Sequence, residues 1–152
     1  MKPWFKWVIL TVTIGGGFQG FVEVVQEFVA MQSKTPTAVI LCSIIAAFFL
    51  LAIAAGLRFA GNTEHTSALI LVLLLQIPLI YSPILGYELN TAVLAVLKFD
   101  GGKLGWGAQL GSDHRLLVGY DMPWGIGVNM FPVVLLVLLG VFTRRDRQPT
   151  SN

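Results

Sequence analysis

Four apolar runs, residues 4–29, 37–57, 67–87 and 124–142, divide the chain, and between the third and fourth the pattern changes from continuous to alternating. A helix rises about 1.5 Å per residue, so about 20 residues cross the roughly 30 Å hydrocarbon core of a bilayer. The second run, TAVILCSIIAAFFLLAIAAGL, contains no charged residue. Soluble helices are seldom apolar on every side for that length. The pattern predicts an all-α membrane protein, a four-transmembrane-helix bundle forming a single integral membrane domain over residues 1–152.

The stretch 89–123 follows another rule. In KLGWGAQLG, Leu104, Trp106, Ala108 and Leu110 alternate with Gly105, Gly107 and Gln109, the period of a half-buried strand. Asp100-Gly101-Gly102 before it and Gly111-Ser112-Asp113 after it are turn signals. A further strand is expected over 115–120, and 93–99 reads as a strand or as a continuation of the third helix. The expectation is a small extracytoplasmic β-meander between helices 3 and 4, with Trp106 on its buried side. Met122-Pro123-Trp124 marks the return into the bilayer, an aromatic at the interface.

Composition agrees with the class: hydrophobic residues make up 55%, charged residues 12%, and mean hydropathy is +0.76. A formal charge of +2 is too small to imply a nucleic-acid partner, so the bilayer and a membrane-protein partner or second copy are the partners expected. If every run crosses, one side holds Lys2, Lys6, Arg58, Arg144, Arg145 and Arg147 against Glu64 and Asp146. The other holds Lys34, Lys98, Lys103 and Arg115 against Glu23, Glu27, Glu88, Asp100, Asp113 and Asp121. Basic residues near span ends stay inside, which puts both termini and the tail 143–152 in the cytoplasm, with a bacterial inner membrane as the expected location. Lys2 and Lys6 resemble the basic start of a signal peptide, but no small-x-small site follows, so the first run reads as a retained span.

Small residues and prolines add detail. Gly16-x-x-x-Gly20 and Ala52-x-x-x-Gly56 are seams that let helix backbones approach closely, here within the bundle. Pro78, Pro83 and Pro132 remove helix hydrogen bonds and predict kinks in the third and fourth spans. The freed carbonyls need partners in a bilayer, and Gln76, Tyr81 and Ser82 lie close by.

Candidate chemistry is sparse. At 1.5 Å per residue, polar groups from three helices reach similar depth in the outer leaflet: Gln19, Glu23, Gln26, Tyr81, Ser82, Tyr87, Glu88 and Asn129. With Gln76 they make a candidate polar pocket, in which Glu23 is the expected proton or cation acceptor. His65 and His114 fall on opposite sides of the membrane, so no metal site is expected. Cys42 is the single cysteine, which excludes an intramolecular disulfide. Ser82 has no histidine at its depth, and GGGFQG lacks the Lys-Ser/Thr of a phosphate loop. No catalytic residue or cofactor is expected. The reading is a non-enzymatic accessory or scaffold subunit. The alternative is a protein that binds or transports a small ligand, cation or proton through the pocket around Glu23.

Overall fold

Pro3 starts the first helix, where a missing N–H breaks no bond. Helix α1 (Pro3–Leu10), a π-helical turn (Thr11–Gly15) and α2 (Gly16–Ala30) then run on as one rod. Thr35 caps α3 (Pro36–Gly61): its hydroxyl accepts the Ala38 N–H, and Pro36 opens the first turn. Both rods are long and apolar enough to cross a membrane. The computed structural model describes residues 2–119, 121 and 123–146, apart from the side chains of 144–146. Tyr120, at the end of the strand expected over 115–120, Met122 and tail residues 147–152 lie outside the described residues.

The third and fourth runs overturn the four-helix, all-α bundle, because each is helical over only part of its length. In the third, α4 (Ser67–Leu75) is nine residues long, and the chain continues as strands β1 (Pro78–Tyr81) and β2 (Leu85–Asn90). A proline pushes the residue before it out of the helical region, so Pro78 and Pro83 act here as terminators. Pro78 takes the first position of a strand, where its missing donor is tolerated. The fourth run begins as β6 (Gly125–Asn129), with Ile126 and Val128 alternating with glycines, and becomes α5 (Met130–Asp146). Pro132 lies in the first turn of α5, so it helps to start that helix and does not kink it.

The strands form one antiparallel sheet in the order β4-β3-β6-β1-β2-β5, with β3 (Val93–Asp100), β4 (Lys103–Leu110) and β5 (Asp113–Val118). Residues 93–99 are therefore strand. Asp100 pairs with Lys103 across Gly101-Gly102, whose φ values of 53° and 81° suit the hairpin turn that glycine allows. The two edge strands, β4 and β5, are joined by Gly111-Ser112 alone. The sheet accordingly curls until its edges approach each other at that turn.

Two cores hold the molecule. At one end all four helical pieces meet through Phe5, Ile9, Phe59, Leu69, Leu73, Leu135, Leu139 and Phe142. Toward the other end Val24, Phe48 and Phe49 of the long helices pack on Leu89, Tyr87 and Leu116 of the sheet. The Phe5 and Phe142 rings lie 5.0 Å apart, and Lys6 Nζ donates to the Ala60 carbonyl at 3.0 Å. Both helical ends of the chain and the α3–α4 connection therefore share one end of the molecule.

The small-residue seams lie inside this arrangement. A Cβ on Gly16 would overlap the Thr91 carbonyl of the β2–β3 turn, one on Gly20 the Phe49 ring, and one on Gly56 the Thr13 hydroxyl. Ala52 is fully buried against the same helix pair. Within the glycine cluster of the first run, Gly16 is where the β2–β3 turn docks, and Gly17 and Gly20 pack on α3.

Candidate functional site: a polar cup inside the curled sheet

Strand register assigns every side chain to one of two faces. Leu97 opposes Trp106 and Val128, and Phe99 opposes Leu104 and Ile126. Ile80 opposes Ile126 and Tyr87, and Tyr87 opposes Leu116. This convex face is apolar apart from the Tyr87 hydroxyl and His114, which bonds Glu27 of α2. Near β2 and β5 it rests on α2 and α3. Over β3, β4 and β6 it stands open: Trp106 is 86% exposed, Leu110 83%, Leu104 71% and Ile126 64%. The expected alternation is present, but Trp106 lies on an exposed side.

The concave face carries the charge. Glu88 opposes Arg115, and Lys98 opposes Gly105 and Gly127; Asp100, Gln109, Asp113 and Tyr81 fall on the same side. Gly86, Gly105, Gly107, Gly125 and Gly127 also point inward, so small residues leave the space that the long ones fill. Both edge strands contribute, since Gln109 Nε2 reaches Asp113 Oδ2 at 3.4 Å. The result is a cup of about 310 Å³ lined by Tyr81, Glu88, Lys98, Asp100, Gln109, Asp113 and Arg115, with Pro123 at its mouth.

Inside it the Tyr81 hydroxyl donates to Glu88 Oε2 at 2.7 Å, and the Arg115 guanidinium stands 6.0 Å from the Tyr81 ring centroid. Among the described residues no carboxylate lies within ion-pair distance of Lys98 or Arg115. Two cations and two carboxylates without a hydrogen-bonded hydroxyl, Asp100 and Asp113, thus face one small volume. That is donor and acceptor chemistry for a polar ligand. The histidines stand elsewhere, and among the described residues no group of three His, Cys, Asp or Glu side chains is placed to hold a metal ion.

Below the cup a buried amide network completes the turns. Gln76 Oε1 accepts from the Thr91 N–H at 3.0 Å and its hydroxyl at 2.9 Å. Asn129 Oδ1 accepts from the Ala95 and Phe131 N–H groups, and Asn90 Nδ2 donates to the Gly111 carbonyl. Each amide satisfies backbone groups at the turns and strand ends.

The structure divides the sequence-predicted pocket. Tyr81 and Glu88 line the cup, and Gln76 and Asn129 lie beneath it. Ser82 closes the β1–β2 turn by bonding both backbone groups of Leu85. Tyr87 is convex, and its hydroxyl donates to the Leu75 carbonyl at 2.6 Å. Glu23 is tied to the β4–β5 turn by Ser112 Oγ at 2.6 Å and to Gln19 Nε2 at 3.0 Å, away from Tyr81 and Ser82. Gln26 is exposed. Sequence reasoning missed Lys98, Asp100, Gln109, Asp113 and Arg115. The signal was their two-residue spacing, Lys98 to Asp100 and Asp113 to Arg115, on strands whose other face is apolar. No protein-family model matches this chain, nor does any curated protein or solved structure.

Proposed function

We propose that this is an integral membrane protein whose curled sheet holds a water-open polar cup on the extracytoplasmic side, and that the cup binds a small polar ligand bearing both charges. The observation that carries the reading is the inverted amphipathy of the sheet, charged within and apolar without. Soluble proteins rarely expose so continuous an apolar surface, whereas polar-inside, apolar-outside alternation is the pattern of strands that face lipid.

Dimensions support it. From Phe142 to Met130 α5 rises roughly 18 Å, and the five residues of β6 add about 16 Å, together enough for a ~30 Å hydrocarbon core. The exposed residues Val141, Val137, Val134, Met130, Val128 and Ile126 form one apolar ladder along that path. Gly16 lies roughly 15 Å above Lys6, near mid-depth, where the β2–β3 turn docks. Irregular backbone at such depth is tolerated only when buried in protein, and the Gln76 and Asn129 networks meet that need. With Lys2, Lys6 and Arg58 at the shared end of the chain, that end is cytoplasmic, in a bacterial inner membrane on this reading.

Cysteine scanning in a Cys42→Ala background tests it. Lys98→Cys and Gly102→Cys should react with an impermeant maleimide added outside intact cells, and Thr63→Cys only after the cells are opened. Trp106→Cys and Ile126→Cys should resist in both conditions. Equal reactivity at positions 98 and 106 would sink the reading.

One observation favours a second role, as an accessory subunit. Strand β4 ends the sheet, so one of its edges has no neighbouring strand in the sheet order, and unpaired strand edges are templates for another chain. A stoichiometric partner co-purifying in mild detergent, lost on Gly107→Pro, would support that role.

A further inference from the structure

A second cavity, of about 470 Å³, runs between the outer half of α3 and β5, and Arg115 lines both it and the cup. Its walls are largely apolar, with Ala38, Leu41 and Ile45 from the helix and Leu116 and Val118 from the strand, and its polar groups Glu27 and His114 are paired with each other at 3.0 Å. Because β5 is the last strand of the sheet, the groove wraps its free edge, and Leu117 and Arg115 of the concave side also reach it. A polar cup with both charge signs and a largely apolar groove therefore meet at Arg115, on one strand edge.

We propose that cup and groove form a single site for a zwitterionic phospholipid of the surrounding leaflet. This rests on the cup being a ligand site and adds what the ligand is. The phosphate lies against Arg115 and Lys98, the two cup cations without a carboxylate at ion-pair distance. The ammonium lies against Asp100 and Asp113, and an acyl chain follows the groove between Ala38 and Val118. The charge pattern selects the headgroup: an anionic one leaves the carboxylates unmatched, and a phosphate with an ammonium satisfies both signs. The Glu88 carboxylate already accepts the Tyr81 hydroxyl and serves as wall.

Native mass spectrometry of the full chain, equilibrated in mixed micelles containing phosphatidylethanolamine or phosphatidylglycerol, tests this. Phosphatidylethanolamine should be retained at one per chain and preferred by about tenfold or more. Asp100→Asn with Asp113→Asn should abolish the preference, and Lys98→Gln with Arg115→Gln should weaken retention of both lipids. Ala38→Phe and Val118→Trp, which fill the groove from opposite walls, should weaken lipid retention. Neither should alter the thermal stabilisation given by soluble O-phosphoethanolamine. Should Ala38→Phe fail to fold, Val118→Trp on the exposed edge decides. Stabilisation by O-phosphoethanolamine without lipid retention, or with retention indifferent to the groove variants, overturns the lipid assignment and leaves the cup standing. Equal retention of phosphatidylglycerol overturns the charge-matching. Absence of both effects overturns the cup as well.

Discussion

Tyr81 and Glu88 are diagonal neighbours across the β1–β2 pair, the phenol donating to the carboxylate at 2.7 Å. The Glu88 residue is only 5% exposed, so that bond stands in for hydration that the carboxylate lacks. Arg115 is directly opposite Glu88 in register, yet it leans over the Tyr81 ring. The cup wall is thus organised by a hydroxyl, which leaves the guanidinium available to a ligand.

Removing that hydroxyl should cost more than a typical hydrogen bond. Tyr81→Phe leaves a buried carboxylate short of one donor, and the expected loss is about 1–3 kcal/mol. Glu88→Gln keeps an acceptor for the phenol and should cost less. Reversible unfolding in mixed micelles measures both, and a Tyr81→Phe variant as stable as the parent would mean that water already serves Glu88.

Glycine positions separate close packing from helix propensity. Gly16→Ala drives a methyl into the Thr91 carbonyl, a backbone atom that cannot swing aside, and should destabilise by about 1–3 kcal/mol or prevent folding. Gly15→Ala, one residue away, meets nothing within 4 Å and should be neutral or stabilising by up to about 1 kcal/mol. Melting temperatures of the two variants should therefore move in opposite directions or differ clearly. Equal shifts would mean that the β2–β3 turn does not dock on Gly16.

Gln76 supplies the next contrast. Its carbonyl oxygen serves both the N–H and the hydroxyl of Thr91, and its amide donates to Val72. Gln76→Leu preserves bulk and strands the Thr91 donors, so a loss of about 2–6 kcal/mol is expected if their two penalties add. Gln76→Glu keeps an acceptor for Thr91 and, when protonated, a donor for Val72, whereas its ionised form is a buried charge, so it should lose less at low pH than at high. Amide exchange at Thr91 is the direct readout: it should quicken in Gln76→Leu before the α3 amides change.

How far the fold was legible follows from these same residues. The two long helices, and the strand 103–110 with its Asp100-Gly101-Gly102 turn, follow from hydropathy and period two. The third and fourth runs misled because hydropathy is blind to backbone conformation: Pro78-Leu-Ile-Tyr81 is as apolar in a strand as in a helix. The cues that decide were present, two prolines five residues apart and the Gly125-x-Gly127 alternation. Period two also cannot say which face is covered, and Trp106, expected on the buried side, is 86% exposed. The cup was harder still. Lys98 and Arg115 converge only because β4 and β5, at opposite ends of the strand order, curl together at Gly111-Ser112. Depth and a shared helix face point to Glu23, but its carboxylate is taken by Ser112.

The convex face gives the last prediction. Trp106 sits in mid-strand, fully outward, opposite Leu97 in register. In a single-tryptophan variant (Trp4, Trp7 and Trp124→Phe) reconstituted into vesicles, its emission should be blue-shifted and strongly quenched by lipids brominated along their acyl chains. Aqueous iodide should quench it weakly. A variant that retains Trp124 instead, at the start of β6 and 67% exposed, should lie nearer the interface and respond more to shallow bromines and to iodide. The gradient between the two positions matters, because β6 and β4 run down the same wall from the outer turns toward Asn129. Iodide quenching of Trp106 as strong as that of free tryptophan would place the convex face in water. The polar cup would then lose the apolar setting from which its function is argued.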